Sequence, residues 1–184
     1  FSNAQTNFIL SGDAWKYLDN GTNQGTAWQA VGFNDASWSS GASQLGYGDG
    51  DEATVVSFGP SSTNRYPTTY FRKTISIANP SSFQDFTLRL KRDDGAVVYV
   101  NGVEVFRDYM PTGIPSYTYY SSGTPSDDGN TWLTVLVNKS KFVAGNNTIA
   151  VEIHNASATS SDISFDLELI GNPDLVVETT LDRG

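Results

Sequence analysis

The chain has 184 residues with 38% hydrophobic residues, a formal net charge of -9, no cysteine and one histidine, His154. This length fits one domain that can bury a core without covalent cross-links, and the lack of cysteine excludes disulfides, thiolate metal sites and a cysteine nucleophile. A single histidine excludes clustered-histidine metal centres, and the acidic balance disfavours nucleic acid and anionic membranes while leaving neutral glycans and divalent cations open.

The two ends of the chain differ in pattern from the middle. Residues 1–7 are interpreted as a tag or signal remnant, because Ser2-Asn3-Ala4 is typical of a cleavage scar. Residues 8–171 are assigned to one β-sandwich module. Residues 172–184 follow a Gly-Asn-Pro stop and are interpreted as a linker or the start of a further domain. No run approaches the ~20 apolar residues of a membrane span, so no membrane insertion is expected.

Short apolar-alternating runs bounded by Gly, Pro, Asn, Asp and Ser recur along the chain, whereas helical periodicity is nearly absent. These runs predict strands at residues 69–77, 86–90, 96–100, 103–106, 132–137, 148–154 and 163–170. Asn101-Gly102 predicts a type I′ hairpin turn, which needs positive φ at both positions. In residues 148–154, Ile149, Val151 and Ile153 are expected to face inward, and Ala150, Glu152 and His154 outward. We therefore predict an all-β fold, a β-sandwich.

Two segments lack a clean period. Residues 20–55 are rich in Gly, Ser, Asn and Trp and predict loops with short strands or one helical turn near residues 34–38. Residues 109–130 contain three prolines, which are incompatible with regular ladders. Loops of this length inside a compact domain are usually functional, or they contain an element that the pattern does not show.

The first candidate site is the acidic turn Asp49-Gly50-Asp51-Glu52. Oxygen ligands on a glycine-rich backbone suit Ca²⁺, which takes six to eight oxygens in loose geometry. The spacing is not that of an EF-hand. Asp49, Asp51 and Glu52 are therefore candidate ligands of a structural calcium ion, and a solvated acidic turn is the alternative.

The second candidate is the pair Asp93 and Asp94, which follows a predicted strand. Their side chains are expected to project from one end of the sandwich, where binding residues collect. Asp and Gly are also ordinary turn formers, so a purely local role in an Asx-turn remains the alternative.

The third candidate is the polar group formed by His154, Asn155 and Asp162, with Glu152, Ser160 and Ser161 beside it. Such side chains offer both donors and acceptors to sugar hydroxyls. A lone histidine more often caps a loop, and that interpretation stays open.

The fourth candidate is the aromatic run of Tyr117, Tyr119 and Tyr120. Most of the tryptophans are expected in the core, but this run lies in the proline-rich segment and cannot be wholly buried. Flat aromatic rings stack on the apolar faces of sugars, so these tyrosines are the first choice for a binding platform. Acidic residues also gather in turns, including Asp127-Asp128.

Catalysis has little support in the sequence. There is no G-x-S-x-G motif, no phosphate-binding loop and no dinucleotide fingerprint. A glycosidase needs only two carboxylates, and 20 acidic residues meet that requirement trivially.

Several motifs together resemble a bacterial galactose-binding-like jelly-roll module, an accessory domain of secreted multidomain proteins. The resemblance covers residues 8–171, and its most specific parts are Leu45-Gly46-Tyr47-Gly48-Asp49-Gly50 and the stretch from Asp93-Asp94-Gly95 to Asn101-Gly102. Its other parts are residues 15–19, Trp28, and residues 33–38, 70–73 and 150–155. The second motif is also similar to sugar-binding domains of glycoside hydrolases and, more loosely, to the protective-antigen type.

This resemblance implies a non-catalytic jelly roll, which is a two-sheet antiparallel β-sandwich, often with a structural Ca²⁺, and in many relatives a carbohydrate site in loops at one end. Asp93, Asp94 and His154 are the motif residues that it implies near that end. We therefore expect a carbohydrate-binding accessory module of a secreted or cell-surface bacterial protein, with a glycan and neighbouring domains as partners. The alternatives are a structural spacer or adhesion domain without a small ligand and, third, a jelly-roll glycosidase or lyase.

Overall fold

The computed structural model describes residues 4–174. Residues 1–3 of the expected remnant and residues 175–184 of the expected linker lie outside the described residues. The first strand begins at Thr6, two residues before the expected module boundary, and the last strand ends at Pro173. No helix in this part of the chain is long and apolar enough to cross a membrane.

The fold is all-β, as predicted, and the described part of the chain contains twelve strands and three 3₁₀ helices. The strands are β1 (Thr6–Ile9), β2 (Ala14–Leu18), β3 (Ser39–Ala42), β4 (Leu45–Tyr47), β5 (Thr54–Val55), β6 (Thr68–Ile77), β7 (Phe83–Asp93), β8 (Gly95–Val100), β9 (Val103–Asp108), β10 (Leu133–Asn138), β11 (Gly145–His154) and β12 (Ile163–Pro173). The 3₁₀ helices are Ala27–Gln29, Pro80–Ser82 and Lys139–Lys141. All seven predicted strands are present. The five strands before residue 56 were not predicted individually.

The strands form two six-stranded sheets, which confirms the two-sheet sandwich. Sheet one has the order β10-β7-β12-β4-β5. Strand β1 also pairs with β12, at residues 169–171, whereas β4 pairs with β12 at residues 163–165. Sheet two has the order β3-β2-β6-β11-β8-β9. All pairings are antiparallel except that of β4 with β5, which is parallel. The alternating apolar residues of both sheets face each other and form the main core, in which Phe165 of β12 stacks on Phe71 at 4.3 Å and meets Trp15 edge-on at 4.9 Å between ring centroids.

A second apolar layer covers the outer face of sheet two. Trp28, Trp38, Tyr70, Tyr99 and Met110 pack there with the outward residues of β6, β8 and β11. Residues from the irregular 20–38 and 109–117 segments supply the cover. Ala150, Glu152 and His154 do point away from the main core, but they are buried beneath this layer rather than exposed to solvent, which corrects the expected outward exposure.

Arg72 fastens the first covering segment to the sheet. Its guanidinium group is 1% exposed and donates to the carbonyl oxygens of Trp28 and Ala30 and to the carboxylate of Asp35 at 2.9 Å. The helical element here is the 3₁₀ helix Ala27–Gln29. Residues 34–38 form a turn closed by Trp38 N–H donating to the Asp35 carbonyl at 3.0 Å.

The hairpin at Asn101-Gly102 forms as predicted, with φ of 52° and 79°. The Asn101 side chain also joins the turn to its neighbours. Its Nδ2 donates to the Lys141 carbonyl (2.9 Å) and Asn147 Oδ1 (2.8 Å), and its Oδ1 accepts from Thr148 N–H at 2.9 Å.

Candidate functional site

The tyrosine run lies at the surface on the sheet-two side of the sandwich, and its backbone is fixed from beneath. His154 Nδ1–H donates to the Tyr119 carbonyl at 2.7 Å, and Thr68 Oγ1 donates to the Tyr117 carbonyl at 2.7 Å. The Ser121 N–H donates to the Asn155 carbonyl at 2.9 Å. Both strands that carry these anchors, β6 and β11, are central in sheet two, so the run rests on a rigid base.

The rings of the run differ in exposure. Tyr119 is 44% exposed and Tyr120 is 37% exposed, whereas Tyr117 is half-buried against the second apolar layer. Burial raises the pKa of the Tyr117 phenol. Two of the three predicted platform rings therefore face solvent.

His154 sits in a buried chain of polar groups. Its Nε2 lies 3.1 Å from Glu152 Oε2, and the Tyr99 hydroxyl donates to Glu152 Oε1 at 2.6 Å. Burial raises the pKa of the Tyr99 phenol, and the Glu152 carboxylate adds to that rise. A continuous path of hydrogen bonds thus joins Tyr99, Glu152 and His154 to the Tyr119 backbone. His154 itself has no exposed surface, so it positions the tyrosine run from below.

Asn155 and Asp94 hold the loops at the end of β11. Asn155 Oδ1 accepts from the Tyr47 hydroxyl at 3.0 Å, and its Nδ2 donates to the Tyr66 carbonyl at 2.7 Å. Asp94 Oδ2 accepts from Ala156 N–H at 2.6 Å and Ser160 Oγ at 2.9 Å. Asn155 and Asp94 are each about 2% exposed or less. These bonds occupy side-chain oxygens that were predicted from the sequence to contact a ligand.

The expectation that Asp93 and Asp94 project from the end of the sandwich is wrong. Strand β7 continues in register to Asp93, which pairs with Ser164, and the chain passes to sheet two at Asp94. Both side chains are 1% exposed because loops close over this crossing.

The acidic turn after β4 is stabilised by its own glutamate. Glu52 Oε1 accepts from Asp49 N–H and Oε2 from Gly50 N–H, each at 3.0 Å. Asp51 Oδ1 accepts from Gln44 Nε2 at 3.1 Å. The carboxylates of Asp49, Asp51 and Glu52 still lie close enough together to hold one metal ion.

A second acidic group shares Asp49 and joins it to Asp128 and Asp162. Sequence reasoning placed Asp128 in an acidic turn and Asp162 in a sugar site, and did not connect either with Asp49. Asp128 comes close to Asp49 because the 109–132 segment folds back over β7. No local sequence pattern predicts this path of the chain.

Sequence reasoning also missed an open groove of about 650 Å³ beside the 112–115 loop. Its wall includes Gln29, Tyr99, Glu104 and Arg107. Arg107 Nη2 donates to Glu104 Oε2 at 2.7 Å, and this bond raises the pKa of Arg107. Tyr99 connects the groove to the buried polar chain beneath Tyr119.

No family model matches this sequence, and no curated protein matches it. The fold is similar to part of a β-glucuronidase from Bacteroides uniformis (TM-score 0.58, 18% identity) and of a calcium-binding mutant of Bacteroides uniformis β-glucuronidase 2 (TM-score 0.57, 18% identity), each over 92% of this chain. A β-glucuronidase from an uncultured Clostridium sp. aligns over 94% of this chain with a TM-score of 0.54 and 13% identity.

The chain spans 18% of the length of each Bacteroides protein and 30% of the Clostridium protein. At these identities the likeness concerns the fold alone. The chain therefore shares its sandwich with one part of much larger glycosidases.

Proposed function

We propose that this chain is a non-catalytic carbohydrate-binding accessory module of a secreted or cell-surface bacterial protein. The observation that carries the proposal is the fixed tyrosine run, in which Tyr119 and Tyr120 expose their rings while His154 and Asn155 hold the backbone below. A platform fixed before the ligand arrives loses little conformational entropy on binding. Aromatic rings of this kind stack on the apolar faces of sugar rings.

The charge of the chain favours a neutral glycan. With a formal net charge of -9, long-range electrostatics opposes the approach of polyanionic chains. The similar structures are β-glucuronidases, and the matched part is a minor share of each. This supports a parent protein whose other domains act on glycans.

The groove beside Arg107 supports binding rather than hydrolysis. Glycoside hydrolysis ordinarily needs two carboxyl groups about 5 to 9.5 Å apart. Among the residues that line the groove, Glu104 is the single carboxylate, and Arg107 engages both of its oxygens. Exposure of the two tyrosines also favours a binding module over a spacer domain without a ligand.

A structural calcium ion is part of the proposal. Asp49, Asp51 and Glu52 form an oxygen-rich group of the kind that Ca²⁺ accepts, and one of the similar structures is a calcium-binding mutant in which two aspartates are replaced by alanine. We expect EDTA to lower the Tm of the domain and added Ca²⁺ to restore it. A Tm that both treatments leave unchanged would contradict the calcium part alone.

Glycan binding is tested by an array of neutral and acidic glycans, followed by calorimetry on the hits. Tyr119→Ala and Tyr120→Ala should each weaken binding about threefold to tenfold, and the double variant further. Leu136→Ala, which removes an exposed apolar side chain from sheet one, is the control and should bind as the parent does. No binding to any glycan, with or without Ca²⁺, would overturn the proposal, and undiminished binding by the double variant would overturn the tyrosine platform.

A further inference from the structure

The open groove of about 650 Å³ lies on the outer side of sheet two, between the two segments that cover that sheet. Its lining comes from Thr26 and the 3₁₀ helix Ala27–Gln29, from β8 and β9, and from the 112–115 loop. Small-ligand sites commonly have volumes of about 300 to 1,000 Å³. The groove therefore has the size of a ligand site, and its lining does not include the rings of Tyr119 and Tyr120.

Gln29 lines the groove and carries an unpartnered side-chain amide. The residue is 9% exposed, and its amide makes no hydrogen bond with any group in residues 4–174. Neither amide atom is wholly sealed from solvent, so the unpaired amide keeps some accessible surface, and the groove is the opening that it lines. A nearly buried amide without a protein partner is costly, and a ligand in the groove would supply the missing hydrogen bonds.

Two threonine hydroxyls accompany this amide in the lining. Thr26 precedes the 3₁₀ helix without capping it through its side chain, and Thr112 belongs to the second covering segment. Amide and hydroxyl groups both donate and accept hydrogen bonds, which suits the hydroxyl groups of a sugar. Ile114, which is 77% exposed, and Tyr99 add apolar side-chain surface for the C–H face of a sugar ring.

The lining has no net charge and offers no free cationic group. Glu104 and Arg107 are the two charged residues among those that line the groove, and Arg107 donates to both carboxylate oxygens at 2.9 and 2.7 Å. Arg107 also donates to the carbonyl oxygens of Pro111 and Gly113, so four of its five N–H groups have partners. A carboxylate ligand is bound best by a free guanidinium fork, which this groove lacks. The groove therefore favours an uncharged ligand.

Both walls of the groove are fixed by buried or half-buried arginines. Arg72 donates to two carbonyl groups in and next to the 3₁₀ helix that carries Gln29. Arg107 donates to two carbonyl groups in and next to the 112–115 loop. A site that is formed before the ligand arrives loses little conformational entropy on binding.

The groove lies close to the tyrosine run on the same side of the sandwich. Pro115 lines the groove, and Tyr117 packs in the second apolar layer with Tyr99, which also lines the groove. The chain then turns, because Tyr119 N–H donates to the Ser116 carbonyl at 2.9 Å. Pro115 and Tyr119 are four residues apart, which is at most about 14 Å even in an extended chain. A linear glycan seated in the groove can therefore also reach the tyrosine run.

We propose that the groove is a second sugar site, which binds one pyranose unit of an uncharged linear glycan while adjoining units of the same glycan stack on Tyr119 and Tyr120. The inference rests on the proposed function, because it requires that the module binds glycans. It deepens that function by defining the ligand as an extended uncharged chain rather than a single sugar or a uronic acid polymer. Because both sites act on one chain, the second contact is intramolecular and affinity rises with chain length.

The test is calorimetry on the 184-residue chain with named oligosaccharides of two lengths. The uncharged probes are cellohexaose, xylohexaose and mannohexaose, each with its disaccharide, and hexagalacturonic acid is the charged probe. At least one uncharged hexasaccharide should bind about tenfold or more tightly than its disaccharide, because only the longer chain reaches both sites. Hexagalacturonic acid should bind at least about tenfold more weakly than that hexasaccharide, since the groove has no free cation for its carboxylates.

Isosteric variants separate ligand binding from stability. Gln29→Met keeps the length of the side chain and removes the amide, so hexasaccharide binding should weaken about tenfold. Its Tm should stay the same or rise, because the unbound protein loses no hydrogen bond. Thr112→Val, at an exposed position, should weaken binding about threefold. Gln84→Met makes the same chemical change at an exposed position on β7 of sheet one and is the control, which should bind as the parent does.

The outcomes distinguish this inference from the proposed function. If glycans bind but no uncharged hexasaccharide exceeds its disaccharide, or if Gln29→Met and Thr112→Val bind as the parent does while Tyr119→Ala weakens binding, the groove site is refuted and the proposed function stands. Equal affinity for hexagalacturonic acid would refute the uncharged class. A Tm loss for Gln29→Met that Gln84→Met does not show would assign the amide a structural role instead. No binding to any glycan would overturn both.

Discussion

His154 and Tyr119 are joined by a 2.7 Å hydrogen bond in which a wholly buried imidazole holds the backbone of a half-exposed tyrosine. The sequence predicted both residues to bind the ligand, but this bond gives them different roles. The ring of Tyr119 is available to a ligand, whereas His154 keeps that ring in place. A variant at each position therefore tests a different property.

Replacing His154 with alanine should loosen the tyrosine run. The Tyr119 carbonyl and Glu152 both lose a buried partner, and we expect the free energy of unfolding to fall by about 2 to 4 kcal/mol. Hydrogen exchange at residues 116–123 should rise more than elsewhere in sheet two. Thr134→Ala, at an exposed position on β10, is the control and should change neither quantity. A uniform rise in exchange over the whole domain would contradict a local anchoring role.

Arg72 and Arg89 provide a comparison between a buried and an exposed ion pair. Arg72→Met should lower the free energy of unfolding by about 3 to 5 kcal/mol, because Asp35 and two carbonyl groups lose their cation beneath the covering segment. Arg89→Met should cost less than about 1 kcal/mol, since its pair with Glu168 is partly exposed. Urea denaturation measures both values. Acrylamide quenching of tryptophan fluorescence should increase for Arg72→Met, because Trp28 and Trp38 become accessible. If the two variants lose equal free energy of unfolding, the anchoring of this segment by Arg72 is refuted.

Phe165 is expected to be a main contributor to the core between the sheets. Its ring packs on Phe71 and Trp15 with no exposed surface, so Phe165→Ala should lower the free energy of unfolding by about 3 to 5 kcal/mol. Leu136→Ala, at 64% exposure, should change it by less than about 0.5 kcal/mol. Chemical denaturation of both variants is the measurement, and a loss below about 1 kcal/mol at Phe165 would show that this part of the interface can repack.

The Asn101-Gly102 turn allows conformational and hydrogen-bonding effects to be separated. Gly102→Ala should cost about 1 kcal/mol, because alanine tolerates the positive φ poorly. Asn101→Gly accepts the φ of 52° but removes the three side-chain hydrogen bonds to β11 and its approach, and should cost about 2 to 3 kcal/mol. Thermal or urea unfolding gives the order of the two costs. If Gly102→Ala proves the more damaging change, the Asn101 side chain does not join the hairpin to its neighbours.

The sequence was sufficient for the strands after residue 68, because β-propensity and turn chemistry there act over a few residues. Asn101-Gly102 is the clearest case, since two adjacent residues determine both the turn and the register. Strands β3, β4 and β5 have two to four residues and contain Gly, Ser and Thr, so their pattern is too short to distinguish from loop.

The outer layer on sheet two could have been inferred from one signal. Residues 96–100 read Ala-Val-Val-Tyr-Val without polar alternation, and such a run is typical of a strand buried on both faces. Val97 and Tyr99 indeed face the second layer. The sequence could not show which segments supply that layer, because Trp28 and Met110 belong to segments whose hydrophobic pattern has no clear period.

The candidate site also combines features that local sequence predicts with features that depend on distant segments. The residue types in the tyrosine run and the acidic turn could be identified from local composition. The neighbourhood of Asp49, Asp128 and Asp162 depends on three distant loops meeting, which is a property of the sandwich as a whole. Burial of Asp94 and Asn155 likewise depends on loops that close over the strand ends.

The pairing of β12 with β7, β4 and β1 affects how this protein emerges from the ribosome. The strand that bonds to all three partners is the last of the twelve described strands, so the nascent domain cannot complete sheet one until β12 has been synthesised. Folding should be slow, in the range of milliseconds to seconds that is typical of sandwiches. A product that stops before residue 163 would present three unpaired strand edges, which are the surfaces that chaperones and proteases meet first.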